Sequence, residues 1–308
     1  MRTVVFINAH SRQARQHVKA VRKFFAQKDS PFELLDFIVV EKLDDFDARI
    51  AKLKSYKKAE CVIVGSGDGT IVAVLNALKG RDVVYGFVPL GTSNDFVWSL
   101  GLPADFKKTL RAISARHVQS VTLGSINDIL FANVAGVGIA TNVVNRLSDN
   151  RLKRYLGPLA YLVSGLQELF RHDAVWFDVT ADGKSISFYT HNLLISNGKY
   201  HGHIPVHELS SLEHDNLMIS ATPGRSRLEW LRSSLRFLFR RPKKRKNILA
   251  FPVREAHIAT SPVREIQADG EVIGKTPADI RVIKDAIRVF TAPEGMKRSL
   301  SMRYRDRQ

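Results

Sequence analysis

Cysteine is nearly absent from this chain of 308 residues, which holds one, Cys61. An internal disulfide is therefore excluded. The lone thiol falls in a predicted buried strand, where it reads as a small apolar filler rather than a reactive group. Long hydrophobic runs are also missing: the uncharged stretch of the second half between Arg154 and Glu168 is too short to span a bilayer. The N-terminal Met-Arg-Thr-Val-Val-Phe-Ile-Asn has too brief an apolar run for a secretory signal. Together these point to a reducing cytoplasm and a soluble or peripheral protein. Acidic residues are in deficit, with 30 Asp+Glu against 47 Lys+Arg, a net charge of +17 and a pI near 10.1. That balance calls for a polyanionic partner, whether nucleic acid, anionic lipid or a phosphorylated substrate. Hydrolase Gly-x-Ser-x-Gly, the Walker Lys-Ser/Thr pair, dinucleotide-type glycine spacing and internal repeats are all absent.

What is present is ordinary globular material, 44% hydrophobic and 25% charged, long enough for two modest domains. One stretch organises it. Cys61 to Val64 is a continuous apolar run, as in a strand buried on both faces of a parallel sheet. Gly65-Ser66-Gly67-Asp68-Gly69 breaks the run. From Thr70, a candidate N-cap, Ile71, Val74, Leu75 and Leu78 recur at helical spacing. A glycine turn entering a helix leaves backbone N–H groups open at a positive helix end, which suits phosphate. Asp68 would repel phosphate there unless it holds a cation or takes a proton. Metal-assisted phosphoryl transfer is the chemistry this suggests.

Strands at Val4–Asn8, Phe32–Val40 and Val83–Val88 alternate with helices at Arg12–Gln27 and from Asp44 or Asp45 through Lys54. Such alternation implies βαβ units with ligands at the carboxyl ends of the strands. Asn8, Ser66 to Thr70 and Gly91 to Asp95 all follow predicted strands. The third loop, Pro89 to Phe96, offers backbone donors and hydroxyls, and Asp95 is expected to cap a helix starting near Phe96. After about Ser120 the texture changes. Helices are expected over Ile139–Leu147 and Pro158–Phe170, then short strands follow in succession. Val175–Thr180 and Ser185–Tyr189 flank Asp182-Gly183, a strong hairpin signal. Runs of strands without helices suggest an antiparallel, sandwich-like second domain. The division expected is an α/β domain over 1–124, a β-sandwich domain over 125–290 and a basic tail over 291–308.

The sequence Gly-Ser-Gly-Asp-Gly-Thr followed by Pro-Leu-Gly-Thr-Ser-Asn-Asp-Phe resembles the paired signature of the diacylglycerol-kinase catalytic-domain superfamily, which includes sphingosine kinases and bacterial YegS-like lipid kinases. Asn197-Gly198 and Asp269-Gly270-Glu271 also fall in family order. The resemblance implies a nucleotide-binding α/β domain, a β-sandwich lipid domain, and ATP with Mg2+ in the cleft between. It places ATP against Asn8, Ser66, Gly67, Asp68, Gly69 and Thr70, against Gly91, Thr92, Asn94 and Asp95, and near Asp269. It makes Glu271 the proton acceptor and Asp68 a metal or phosphate organiser, and aligns Leu212, Asp215 and Leu217 with a bacterial metal site. Three departures stand out. Ala73 occupies a position usually Glu. Asn216 replaces the Gly of an Asp-Gly pair. The usual Asn-Pro-x-Ser-Gly reads Asn-Ala-His-Ser-Arg, keeping only Asn8 and Ser11.

Alternatives stand beside several sites. Asp-Gly is the ordinary hairpin dipeptide, so Asp269-Gly270 also reads as a plain turn. His201, His203, His207 and His214 match no structural zinc spacing and read as exposed loop residues. Arg225–Lys246 holds ten basic residues and one acidic, Glu229, with Leu228, Leu231, Leu235 and Leu238 at helical spacing. It reads either as a core-packing helix with a solvated face or as a segment drawn to an anionic membrane. The leading expectation is a cytoplasmic, peripherally membrane-associated ATP-dependent lipid kinase. The alternatives are a non-catalytic nucleotide- and lipid-binding regulator of the same fold, or a nicotinamide-nucleotide kinase. No recognition motif or base-stacking pattern supports nucleic acid as a partner.

Overall fold

A computed structural model describes residues 1–139, 141, 173–197, 200–201, 204–205, 212, 215–238 and 248–293. The chain divides into two compact units, one holding Met1–Thr122 and the chain from Lys284 onward, the other Leu123–Ile283. In the first, strands and helices alternate as β1 (Arg2–Asn8), α1 (Ala14–Phe25), β2 (Glu33–Val40), α2 (Phe46–Ser55), β3 (Cys61–Ser66), α3 (Asp68–Ala77), β4 (Val84–Pro89), α4 (Asp95–Ser99) and α5 (Phe106–Ser114). The strand order is β2-β1-β3-β4, all parallel.

The apolar runs explain that order. Every residue of β3 and β4 is buried, and so are Val4 to Ile7 of β1, whereas β2 at the edge is only partly covered. Each fully buried Val, Ile or Phe contributes about 1.5–3 kcal/mol. Val5, Ile7, Ile63, Val88 and Phe290 share one core with Val21 and Phe25 of α1 and Ile113 of α5. Cys61 is fully buried in this core, and burial pushes its thiol up to about 12, so it stays a neutral filler as expected.

The second unit is built from strands. β5 (Val118–Ile126) enters it, followed by β6 (Ile129–Phe131), β7 (Val134–Gly138), β8 (Val175–Ala181), β9 (Lys184–Thr190), β10 (Asn192–Ser196), β11 (Tyr200–His201), β12 (Ile204–Pro205) and β13 (Leu217–Ala221). The helix α6 (Arg227–Leu238) comes next, then β14 (Leu249–Val253), β15 (Glu255–Ser261), β16 (Glu265–Ala268), β17 (Glu271–Lys275) and β18 (Ala278–Phe290). One antiparallel sheet runs β14-β13-β10-β7-β16-β17. Within this unit β9, β8, β15 and the first part of β18 form a second antiparallel set. Phe177, Val179, Ile258 and Ile280 of the second set share one core with Val137, Leu193, Ile195, Leu217 and Ile219 of the first. That is a sandwich, as the strand-rich second half predicted.

The end of β18 belongs to the first unit, where Arg288 and Val289 pair in parallel with Val84 and Tyr85 of β4. The Asp182-Gly183 hairpin is confirmed: both residues have positive φ, 45° and 78°, the two-residue turn that suits twisted strands. The predicted helices over Ile139–Leu147 and Pro158–Phe170 lie essentially outside the described residues, as do the side chains of the four histidines and the basic tail. Among the described residues no helix is long and apolar enough to cross a membrane.

Candidate functional site

In the first unit the carboxyl ends of β1, β3 and β4 lie side by side, because Ile7 is in register with Gly65 and Ser66 with Pro89. Three loops therefore meet. Asn8 Nδ2 donates to Thr70 Oγ1 at 2.9 Å, and its Oδ1 accepts from the His10 amide at 3.0 Å. Ser11 and Ser66 pair hydroxyl to hydroxyl at 2.8 Å, and the Gly67 amide donates to Ser11 Oγ at 3.3 Å. Ser11, the other survivor of the degraded first-strand motif, thus joins the glycine turn. It was absent from the candidate set, although its place three residues after Asn8 was visible.

The glycines explain how closely the loops approach. A Cβ on Gly91 would overlap the Gly67 Cα and stand 2.8 Å from Asn94 Oδ1, and one on Gly67 would stand 3.2 Å from the Gly91 Cα. Backbone meets backbone here, and any side chain would separate the loops. Asn94 then shapes the second loop. It sits at φ 53°, accepts from the Gly91 amide at 2.9 Å and donates to the Gly91 carbonyl at 3.3 Å.

Two capping expectations are corrected. The helix α3 starts at Asp68, with Gly67 as its extended N-cap residue and no side-chain cap, so Thr70 lies inside the first turn and its hydroxyl accepts from Asn8 instead. Asp95 does not cap α4. It is the first residue of that helix, and the left-handed Asn94 precedes it. The cap comes from across the site: Asp68 accepts the Asp95 amide at 3.1 Å on one carboxylate oxygen and the Phe96 amide at 3.0 Å on the other. Asp68 therefore ties the glycine turn to the second loop through the amino end of α4, a charge placement that the helix dipole favours.

Burial raises the Asp68 carboxyl to about 6. The Phe96 amide opposes that rise, the Asp95 charge adds to it, and the Asp95 amide opposes it. Asp68 retains some solvent-accessible surface, yet it is densely surrounded. The packing decides the direction, since desolvation acts through neighbouring atoms as well as through lost surface. Besides the α4 amides, the Asp68 carboxylate also takes a hydrogen bond from its own amide, and the next amides of α3 lie at the helix's positive end, where a helix offers no internal acceptor. Ser11, whose hydroxyl pairs with that of fully buried Ser66, and exposed Thr92 are further hydroxyls of these loops, a residue type that suits phosphate. Asp68 and buried Asp95 are the two carboxylates that these loops bring together.

In the second unit Asp269-Gly270 is the turn between β16 and β17, with φ 49° and 93°, and the Asp269 carboxylate accepts the amides of Ala132, Asn133 (2.9 Å) and Val134 (3.1 Å). Asp182, the other hairpin aspartate, likewise accepts the amides of Arg254 and Glu255, at 3.1 and 3.0 Å. Both fix a neighbouring strand to their turn, as the hairpin reading of Asp269 expects. Asn197, flagged earlier only by the pair Asn197-Gly198, clamps the same segment from the other side. Its Nδ2 donates to the Ala132 carbonyl at 2.9 Å and its amide to the Asn133 carbonyl at 2.8 Å.

Glu271 follows directly as the first residue of β17. Its side chain is solvent-exposed, yet desolvation by nearby atoms raises its carboxyl above the ordinary glutamate value. Of the aligned metal set, Leu212 and Leu217 are buried and Asp215 is half-buried. Residues 211, 213 and 214 lie outside the description. Among the described residues there is no group of three or more His, Cys, Asp or Glu placed to hold a metal ion. Leu212 and Leu217 could offer only main-chain carbonyls.

Comparison with known proteins agrees with this architecture. The family model for the diacylglycerol kinase catalytic domain matches residues 2–126, and that for the YegS C-terminal NAD kinase beta sandwich-like domain matches residues 133–291. A lipid-kinase candidate from Staphylococcus haemolyticus is 25% identical over 261 residues, 80% of this chain and 81% of that protein. An uncharacterized protein from Synechocystis is 25% identical over 239 residues, which span 76% of this chain but 55% of the relative. Among solved structures, a diacylglycerol-kinase candidate from Bacillus anthracis superposes with a TM-score of 0.79 at 21% identity, covering 95% of each chain. A second from the same organism, described as a diacylglycerol kinase, gives 0.70 at 18% identity, covering 95% of this chain and 97% of that one. At those identities the structural likeness speaks for the fold, while the two family models between them account for most of the sequence. The chain belongs to the diacylglycerol kinase catalytic-domain superfamily, with the YegS-type sandwich as its second half.

Proposed function

We propose that this protein is an ATP-dependent lipid kinase that phosphorylates a hydroxyl of a diacylglycerol-like membrane lipid at an anionic membrane surface on the cytoplasmic side. The observation that carries the reading is the contact between the two loops. Gly67 and Gly91 meet without side chains, and Asp68 fastens one loop to the other through the amides of Asp95 and Phe96. A ligand with several phosphates uses such a pair of walls, and little else in the chain explains why they must approach so closely.

In this reading the amino end of α3 and the hydroxyls of Ser11 and Thr92 hold the phosphates of ATP, with Ser66, Asn8 and Thr70 bracing the turn. Asp68 and Asp95 would hold Mg2+, which would neutralise charge on the phosphates. The first unit is the nucleotide-binding domain and the second the lipid-binding domain. The acceptor hydroxyl oxygen attacks the γ-phosphorus, the bond to the bridging oxygen of ADP breaks, and the hydroxyl proton passes to the Glu271 carboxylate. A raised Glu271 carboxyl suits that role, because it brings the base closer to the working pH. Asp215, with the carbonyls of Leu212 and Leu217, is proposed as a second, structural cation site.

The test is transfer of radiolabel from γ-labelled ATP to mixed lipid extracts, with identification of the product. Label in a phosphorylated lipid supports the reading, and its absence with every extract counts against it. A second reading, a nucleotide- and lipid-binding regulator without turnover, is favoured by Ala73 and Asn216, which remove acidic or flexible positions usual in the family. Binding of ATP and lipid without transfer would select it.

A further inference from the structure

The second unit gathers aromatic and basic residues at one place that the nucleotide chemistry does not use. Trp176 of β8 and Tyr189 of β9 are cross-strand partners, with rings 4.8 Å apart and edge to face. The Arg225 guanidinium lies 3.7 Å from the centre of the Tyr189 ring. Two residues later α6 begins, and its root is fastened to the same hairpin. The Gly224 amide donates to the Tyr189 carbonyl at 2.6 Å, and Arg227 pairs with Asp173 at 2.7 Å. Trp230, one turn into the helix, stands edge-on to the buried ring of His191, whose Nε2 is 3.3 Å from the Arg225 carbonyl oxygen.

This root leaves apolar surface open. Leu228 is 53% exposed in the first turn of α6, and Trp176, Tyr189 and Trp230 are each half-buried. A helix that served only its own core would hide the leucine first. The acidic groups nearby are largely engaged: Asp173 by Arg227, and Asp178 by the Trp176 indole at 3.1 Å and the Ser187 hydroxyl at 2.6 Å. Glu229 is the single acidic residue against ten basic ones from Arg225 to Lys246. Rigid aromatics with one polar edge, an exposed leucine and a strong excess of Lys and Arg make the composition that settles at the headgroup level of a bilayer. Each basic residue near an anionic leaflet adds attraction that salt weakens.

We propose that the end of the β8–β9 hairpin (Trp176 and Tyr189), Arg225 and the first turns of α6 form one docking face for an anionic lipid bilayer. Leu228 and the two tryptophans enter the headgroup layer, and exposed Arg225 and Arg232 set the requirement for negative lipid. The proposal rests on the lipid-kinase reading for its purpose and deepens the membrane association expected of the basic segment. Its physics stands on the patch alone.

The experiment is sedimentation of the full chain with vesicles of phosphatidylcholine alone or mixed with phosphatidylglycerol, at low and high salt. A Trp98→Phe background leaves Trp176 and Trp230 as the reporters for quenching by brominated lipid. The expected result is salt-sensitive partitioning only onto vesicles that contain phosphatidylglycerol, with bromine quenching. Leu228→Asp, at an exposed position, should lower partitioning about tenfold or more while leaving phosphorylation of a detergent-dispersed lipid unchanged. Equal binding of Leu228→Asp and the parent, binding to neutral vesicles as strong as to anionic ones, absence of quenching, or a preference for nucleic acid fragments over vesicles would each overturn it. Vesicle binding without any lipid phosphorylation would refute the kinase reading and leave the docking face standing.

Discussion

Asp68 allows a quantitative test of how the two loops are joined. Its carboxyl is raised from an ordinary value of 3.8 to about 6, chiefly by burial. The sign follows from linkage. The unfolded chain gives up this proton at lower pH than the folded one, so ionisation costs the native state stability as pH rises through that window. Below the ordinary value both states are protonated and the group contributes nothing. Above the raised value the cost is complete, about 3 kcal/mol in total, with a little under half of it appearing between pH 5 and pH 7. Asp68→Asn removes the titration. It also leaves one acceptor oxygen for two amides, Asp95 and Phe96, a loss of about 1–3 kcal/mol against the ionised carboxylate that shrinks once wild-type Asp68 is itself protonated. The variant should therefore gain stability relative to wild type as pH rises from 4.5 to 7. Urea unfolding of both proteins at several pH values, followed by tryptophan fluorescence, reads the difference. Parallel pH profiles would show that Asp68 does not titrate in the buried, amide-capping position described here.

Further outcomes follow from the same geometry. Gly91→Ala should force the second loop from Gly67, costing about 1–3 kcal/mol in stability and at least tenfold in ATP affinity, measured by calorimetry. Asp269→Ala removes the acceptor of three backbone amides and should destabilise by about 3 kcal/mol or more, while Asp182→Ala, at an exposed turn, should lose about 1 kcal/mol in the same unfolding assay. Glu271→Gln should lower kcat by about 10²–10⁴ with little change in unfolding midpoint, since the side chain is exposed. In wild type, activity should fall on acidification through a pKa above the ordinary glutamate value, and that limb should vanish in Glu271→Gln; an unchanged limb would assign it to another group.

The buried strands were legible because burial on both faces demands continuous apolar runs, and Val4–Ile7, Cys61–Val64 and Val84–Val88 have them. Asp182-Gly183 was legible because few other dipeptides accept two positive φ angles in succession. The caps were not. Local pattern gave Thr70 as the cap of α3 and Asp95 as the cap of α4, whereas the side chain that caps α4 is that of Asp68. The observed partner of Asp68 is an amide 27 residues away, brought there by the parallel pairing of β3 with β4. That β18 finishes in the first unit was marked only by a break in its alternation over Val282–Asp285, at the division between the units, and no glycine or proline interrupts the strand there. The three-amide clamp by Asp269 escaped notice for a related reason: a turn dipeptide reveals its turn, whereas its side chain's partner lies about 135 residues upstream.

The central claim is that the paired loops hold ATP for transfer to a lipid hydroxyl with Glu271 as base. The most direct measurement follows γ-phosphate label into lipid for wild type and Glu271→Gln, with ATP affinity determined on the same samples. The account predicts that both proteins bind ATP equally and that only wild type moves label into lipid at an appreciable rate. Undiminished transfer by Glu271→Gln, or wild type that binds ATP and lipid yet never transfers label, would contradict it.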